Sequence, residues 1–101
     1  MWMLRALDAD SDRPLSFRLM RGAVKTIGRT GAADYCLDAP LVSRVHCRLE
    51  VAMDGTVEVV DLDSTNGTWV NGEKVQRAVI AAGGILRVGR VEFALERSDQ
   101  S

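Results

Sequence analysis

Ser64-Thr65-Asn66-Gly67-Thr68-Trp69-Val70-Asn71-Gly72-Glu73-Lys74-Val75 carries two Asn-Gly pairs. Asn-Gly accepts φ > 0 at little cost, so each pair marks a tight reversal of the backbone. The second lies between Thr68-Trp69-Val70 and Glu73-Lys74-Val75, and predicts a β-hairpin with a two-residue turn. The first follows the polar run Asp61-Leu62-Asp63-Ser64-Thr65. Hydroxyls and an amide on a turn at the end of a strand make a place to bind something.

Outward from this stretch the chain keeps the same period of two. Cys47, Leu49 and Val51 face one way, and Arg48 and Glu50 the other. Asp54-Gly55 predicts a hairpin turn into a strand over 56–61. Upstream, Trp2, Leu4 and Ala6 alternate with Met3 and Arg5. Short runs follow at 15–20, at 23–27 (stopped by Gly28) and at Tyr35-Cys36-Leu37. Downstream runs fall at 78–80, 85–88 and 91–96, separated by glycine breaks. Helical periodicity is almost absent. The pattern predicts an all-β fold, an antiparallel β-sandwich of about ten or eleven short strands. One domain over 1–97 is expected, with a polar turn at 8–14 and a frayed tail at 98–101.

The 101 residues allow a single modest core. A net charge of −1 argues against a general nucleic-acid binder, which needs a basic surface to displace counterions. Eleven of the thirteen basic residues are Arg, a bias that base composition in a G+C-rich genome explains more readily than ligand chemistry does. No window approaches the ~18 apolar residues of a membrane span, and the start reads as no signal peptide. A cytoplasmic setting and no membrane partner are therefore expected. Cys36 and Cys47 lie in apolar runs and read as buried free thiols. His46 beside Cys47 has no further ligands at usable spacing, so neither metal nor cofactor is expected.

Three loop segments hold polar residues with no evident core role: Gly28-Arg29, Ser43-Arg44-Val45-His46 and Thr65-Asn66. They offer a guanidinium, hydroxyls, an amide and turn N–H groups. Converging donors recognise an anion, and Arg with hydroxyls suits phosphate. Asp61 and Asp63 read as short side chains that bond nearby N–H groups and fix their loop. Ser43, His46 and Asp61 also supply the residue types of a hydrolytic triad, but no Gly-x-Ser-x-Gly elbow presents the serine. Gly28-Arg29-Thr30-Gly31 lacks the Lys-Ser/Thr end of a nucleotide-binding loop.

Gly28-Arg29, Ser43-Arg44-x-His46, Asp61-x-Asp63-Ser64-Thr65-Asn66-Gly67-Thr68 and Val70-Asn71-Gly72 together resemble the forkhead-associated (FHA) domain in order and spacing, from about residue 25 to 93. One departure is Gly84, where many members carry Asp. The resemblance implies a non-catalytic β-sandwich that binds phosphothreonine peptides through loops at one end. By the same resemblance Arg29 and Ser43 contact the phosphate, Ser43 with its hydroxyl and main-chain N–H. Thr65 bonds the phosphate and frames the pocket for the threonine methyl, Asn66 bonds the peptide main chain, and Arg44 is an additional phosphate contact. Gly28, His46 and Gly67 shape the loops; His46 reads as a buried hydrogen-bonded brace, and Asn71 as a hairpin residue, with a tie between two binding loops as the alternative. The implied partner is a Thr-phosphorylated protein in a Ser/Thr kinase pathway, met by a monomer. Acidic residues flanking the phosphothreonine are expected to be tolerated, given the Arg-rich surface. A phospho-independent scaffold on the same fold is the alternative.

Overall fold

A computed structural model describes residues 1–7 and 15–97, so the polar turn at 8–14 and the tail at 98–101 lie outside the described residues. Among the described residues, eleven strands form two sheets: β1 (Trp2–Ala6), β2 (Ser16–Leu19), β3 (Val24–Gly28), β4 (Tyr35–Cys36), β5 (Cys47–Val51), β6 (Val57–Asp61), β7 (Thr68–Val70), β8 (Glu73–Lys74), β9 (Arg77–Ile80), β10 (Ile85–Val88) and β11 (Val91–Arg97). One sheet has the order β2-β1-β11-β10-β7-β8 and the other β4-β3-β5-β6-β9.

The alternation read from the sequence is the packing pattern. Leu4, Leu86, Phe93 and Leu95 from the first sheet meet Ile27, Leu49, Val59 and Ile80 from the second, and all are buried. Asn71 at φ 51 and Gly72 at φ 85 form the turn between β7 and β8, as the sequence predicted. Tyr35 on β4 stacks on Phe17 of β2 at 4.6 Å, and its hydroxyl donates to the Arg18 carbonyl, which closes one margin of the sandwich.

Two expectations are corrected. The fold is not wholly antiparallel, because β4 pairs parallel to β3. After Gly28 the chain doubles back until the Asp34 carboxylate accepts from the Thr26 N–H (2.9 Å) and hydroxyl (3.1 Å). It therefore re-enters level with the middle of β3 and runs in the same direction. Cys36 is exposed rather than buried, because β4 is a two-residue margin strand that turns Tyr35 inward and Cys36 outward. Cys47 is buried as expected, and burial pushes its thiol up to about 12.

Among the described residues, Phe93 is the largest fully buried side chain. Phe93→Ala is expected to cost about 3–5 kcal/mol of unfolding free energy in a urea titration. A cost below about 1 kcal/mol would mean that the two sheets do not close on this ring.

Candidate functional site

The ends of β3 and β6 and the starts of β5 and β7 meet at one rim of the sandwich, and three loops connect them. Main-chain bonds lace these loops together. Arg29 N–H donates to the Ser43 carbonyl at 2.9 Å, and Leu62 N–H donates to the His46 carbonyl at 3.0 Å. Gly28 permits the first of these contacts. A Cβ at Gly28 would lie 2.1 Å from the Arg44 carbonyl oxygen, which no side chain survives.

His46 is fully buried and joins the second loop to the third. Its Nδ1 accepts the Ser43 N–H at 3.0 Å, and its Nε2 lies 2.7 Å from the Gly67 carbonyl oxygen. An acceptor at Nδ1 and a donor at Nε2 define the neutral Nε2–H tautomer. Gly67 stands at φ 93, and a Cβ there would lie 2.7 Å from the Lys74 Cε and 3.0 Å from the Trp69 ring. The third loop is held internally by Asp61. Its carboxylate accepts from the Ser64 hydroxyl (2.5 Å), the Thr68 hydroxyl (2.6 Å) and the Ser64 N–H (3.1 Å). Ser64 Oγ in turn accepts the Gly67 N–H at 3.0 Å.

Between the loops lies a groove of about 520 Å³, lined by Arg29, Ser43, Arg44, Thr65 and Asn66 together with Leu41, Val42, Val45 and Asp63. The structure thus brings all five sequence-predicted contact residues to one surface. Their present bonds define what each has left to offer. Ser43 spends its N–H on His46, and its Oγ accepts the Thr65 N–H at 3.1 Å, so its hydroxyl proton is the remaining donor. Asn66 gives one N–H to the Leu41 carbonyl at 3.1 Å and retains its amide oxygen and second N–H. Arg29 and Arg44 are exposed and enter no ion pair among the described residues.

The hydrolytic triad does not form. His46 holds the Ser43 amide, not its hydroxyl, and Asp61 is occupied by Ser64 and Thr68. Asn71 does not tie the rim loops. Its Oδ1 accepts the Ile85 N–H at 2.9 Å, at the end of β7 opposite Thr68. The sequence reading missed Leu41 and Asp63 as groove residues. Both stand at positive φ, 71 and 58. Asp tolerates that region and so left a faint signal, whereas Leu left none.

The FHA domain family matches residues 25–89. The chain belongs to the FHA family. The FHA domain-containing protein FhaA of Mycobacterium tuberculosis is 39% identical over 88 residues, 86% of this chain and 16% of FhaA. The FHA domain of the CT664 protein from Chlamydia trachomatis superposes with a TM-score of 0.89 at 27% identity, over 96% of this chain and 97% of that one. Mycobacterium tuberculosis EmbR, solved in complex with a low affinity phosphopeptide, superposes with a TM-score of 0.80 at 26% identity, over 99% of this chain and 25% of EmbR. This FHA domain spans a minor part of FhaA's length. Among the described residues, no helix is long and apolar enough to cross a membrane.

Asp61 makes the rim acid-sensitive. Burial works to raise its carboxyl, but the Ser64 and Thr68 hydroxyls and the Ser64 N–H bind the ionised form and leave it below the usual carboxylate range. A carboxyl lowered on folding contributes stability in full above its unfolded value of about 3.9, and loses it as pH falls through the lower folded value. Asp61→Asn is expected to lower the urea midpoint at neutral pH, with the gap to the parent protein closing below about pH 4. A gap that stays constant across that range would detach Asp61 from the acid response.

Proposed function

We propose that this FHA domain captures phosphothreonine in segments of partner proteins, without catalysis, and so relays the output of a Ser/Thr kinase. The observation that carries the reading is the single groove on which Arg29, Ser43, Arg44, Thr65 and Asn66 converge. Phosphothreonine brings about −1.5 to −2 charges and three acceptor oxygens. The Arg29 fork meets two of those oxygens, and a charge-assisted hydrogen bond is worth about 1.5–3 kcal/mol. The Ser43 hydroxyl proton and the Arg44 guanidinium supply further donors. Thr65, with the apolar lining of Val42 and Val45, faces the threonine methyl. Asn66 has an oxygen and an N–H for the peptide main chain. The binding unit is one domain over 1–97, acting as a monomer in the cytoplasm, where the kinase works. The partner is protein rather than nucleic acid, in keeping with the net charge of −1.

Fluorescence anisotropy with a labelled phosphothreonine peptide library tests this, with phosphoserine and unmodified peptides beside it. Binding is expected for the phosphothreonine series and lost on phosphatase treatment. Binding that ignores the phosphate would replace this reading with the phospho-independent scaffold. Arg29→Ala is expected to weaken binding about ten- to a hundredfold, with the melting temperature nearly unchanged. His46→Ala is expected to weaken binding and also to lower stability by about 1–3 kcal/mol, because two hydrogen bonds go with the buried ring. A His46→Ala protein as stable as the parent would remove the brace.

A further inference from the structure

The groove that would hold the phosphate is not purely cationic. Asp63 lines it together with Arg29 and Arg44. The neighbouring carboxylate of Asp61 is consumed by Ser64 and Thr68, so loop stability is already provided for. Asp63 is exposed and enters no ion pair among the described residues. Its backbone stands at φ 58, which glycine or asparagine would also accept without placing a negative charge in the groove. The turn therefore does not require a carboxylate here, and the charge faces whatever lies in the groove.

That charge cannot serve a phosphate, since like charges repel. It acts on the residues beside it. The same groove has an apolar wall, with Leu41 held 39% exposed next to the buried Val42. A lysine or arginine next to the phosphothreonine brings an alkyl stem for that wall and a cation for Asp63. We propose that Asp63 is a specificity-determining residue that selects phosphothreonine segments with a basic flanking residue and disfavours acidic ones. This rests on the phosphothreonine reading above and narrows its ligand class. Several arginines elsewhere on the surface are engaged locally and do not act on the groove. Arg5 pairs with Glu96, Arg48 with Glu50 and Arg77 with Glu58, and Arg87 lies over the Trp69 ring.

The test is a set of phosphothreonine peptides with alanine flanks, in which one Lys or one Glu is scanned through the positions on either side. Affinities are measured for the parent, for Asp63→Asn and for Asp63→Gly, both of which suit a positive φ. The readout is the ratio of the Lys and Glu affinities at each position, with thermal melting as the control for folding. At one flanking position the parent is expected to favour Lys over Glu by about tenfold at low salt, and less at high salt. In both variants that ratio is expected to fall towards one. A ratio that survives in Asp63→Asn, or a parent ratio near one at every position, overturns the assignment while leaving phosphothreonine capture intact. Failure of the whole series, alanine flanks included, overturns the parent reading and this inference with it.

Discussion

One imidazole holds the binding rim in shape. His46 is fully buried, with one ring nitrogen on the Ser43 amide and the other on the Gly67 carbonyl. Those two loops come from chain segments more than twenty residues apart, and no regular strand pairing joins their tips. A side chain must bridge them, and it must present an acceptor on one side and a donor on the other. Neutral histidine does this with a rigid ring, so the separation of Ser43 and Gly67 is fixed by covalent geometry. Serine at the same place would reach one partner, and lysine would bring donors to both.

Two further constraints act around that brace. Gly28 lets β3 approach the Arg44 carbonyl closely, which sets how deeply Arg29 sits relative to Ser43. Asp61 gathers Ser64 and Thr68, which fixes the third loop before it meets the brace. The Thr65 N–H then reaches Ser43 Oγ, and the Asn66 amide reaches the Leu41 carbonyl. The groove residues are therefore held partly by one another and partly by Gly28, His46 and Asp61, which do not line the groove. This division explains why residues expected only to shape loops, Gly28, His46 and Gly67, lie behind the residues expected to touch ligand.

Much of this was legible in the sequence because it is written locally. The alternation around Cys47, Leu49 and Val51 marked β5, and Asn71-Gly72 marked a hairpin turn, since both signals depend on neighbours alone. The convergence of Arg29, Ser43 and Asn66 came from a family pattern, not from local physics. What stayed hidden depends on contacts distant in the chain. The parallel pairing of β4 follows from Asp34 reaching Thr26, and nothing in the short run at Tyr35 announces it. The exposure of Cys36 is a consequence of that same margin position. Leu41 gave no sign of its left-handed backbone, because leucine is not a residue that seeks it.

The interlocking of the three loops has a consequence for where affinity is tuned. Their mutual bonds already fix the rim, so the domain spends little conformational freedom on capture. The ordering cost falls on the incoming segment. Under the proposed capture of phosphothreonine, a segment stiffened by proline near its phosphorylated threonine loses less conformational freedom on docking than a glycine-rich one with the same contacts.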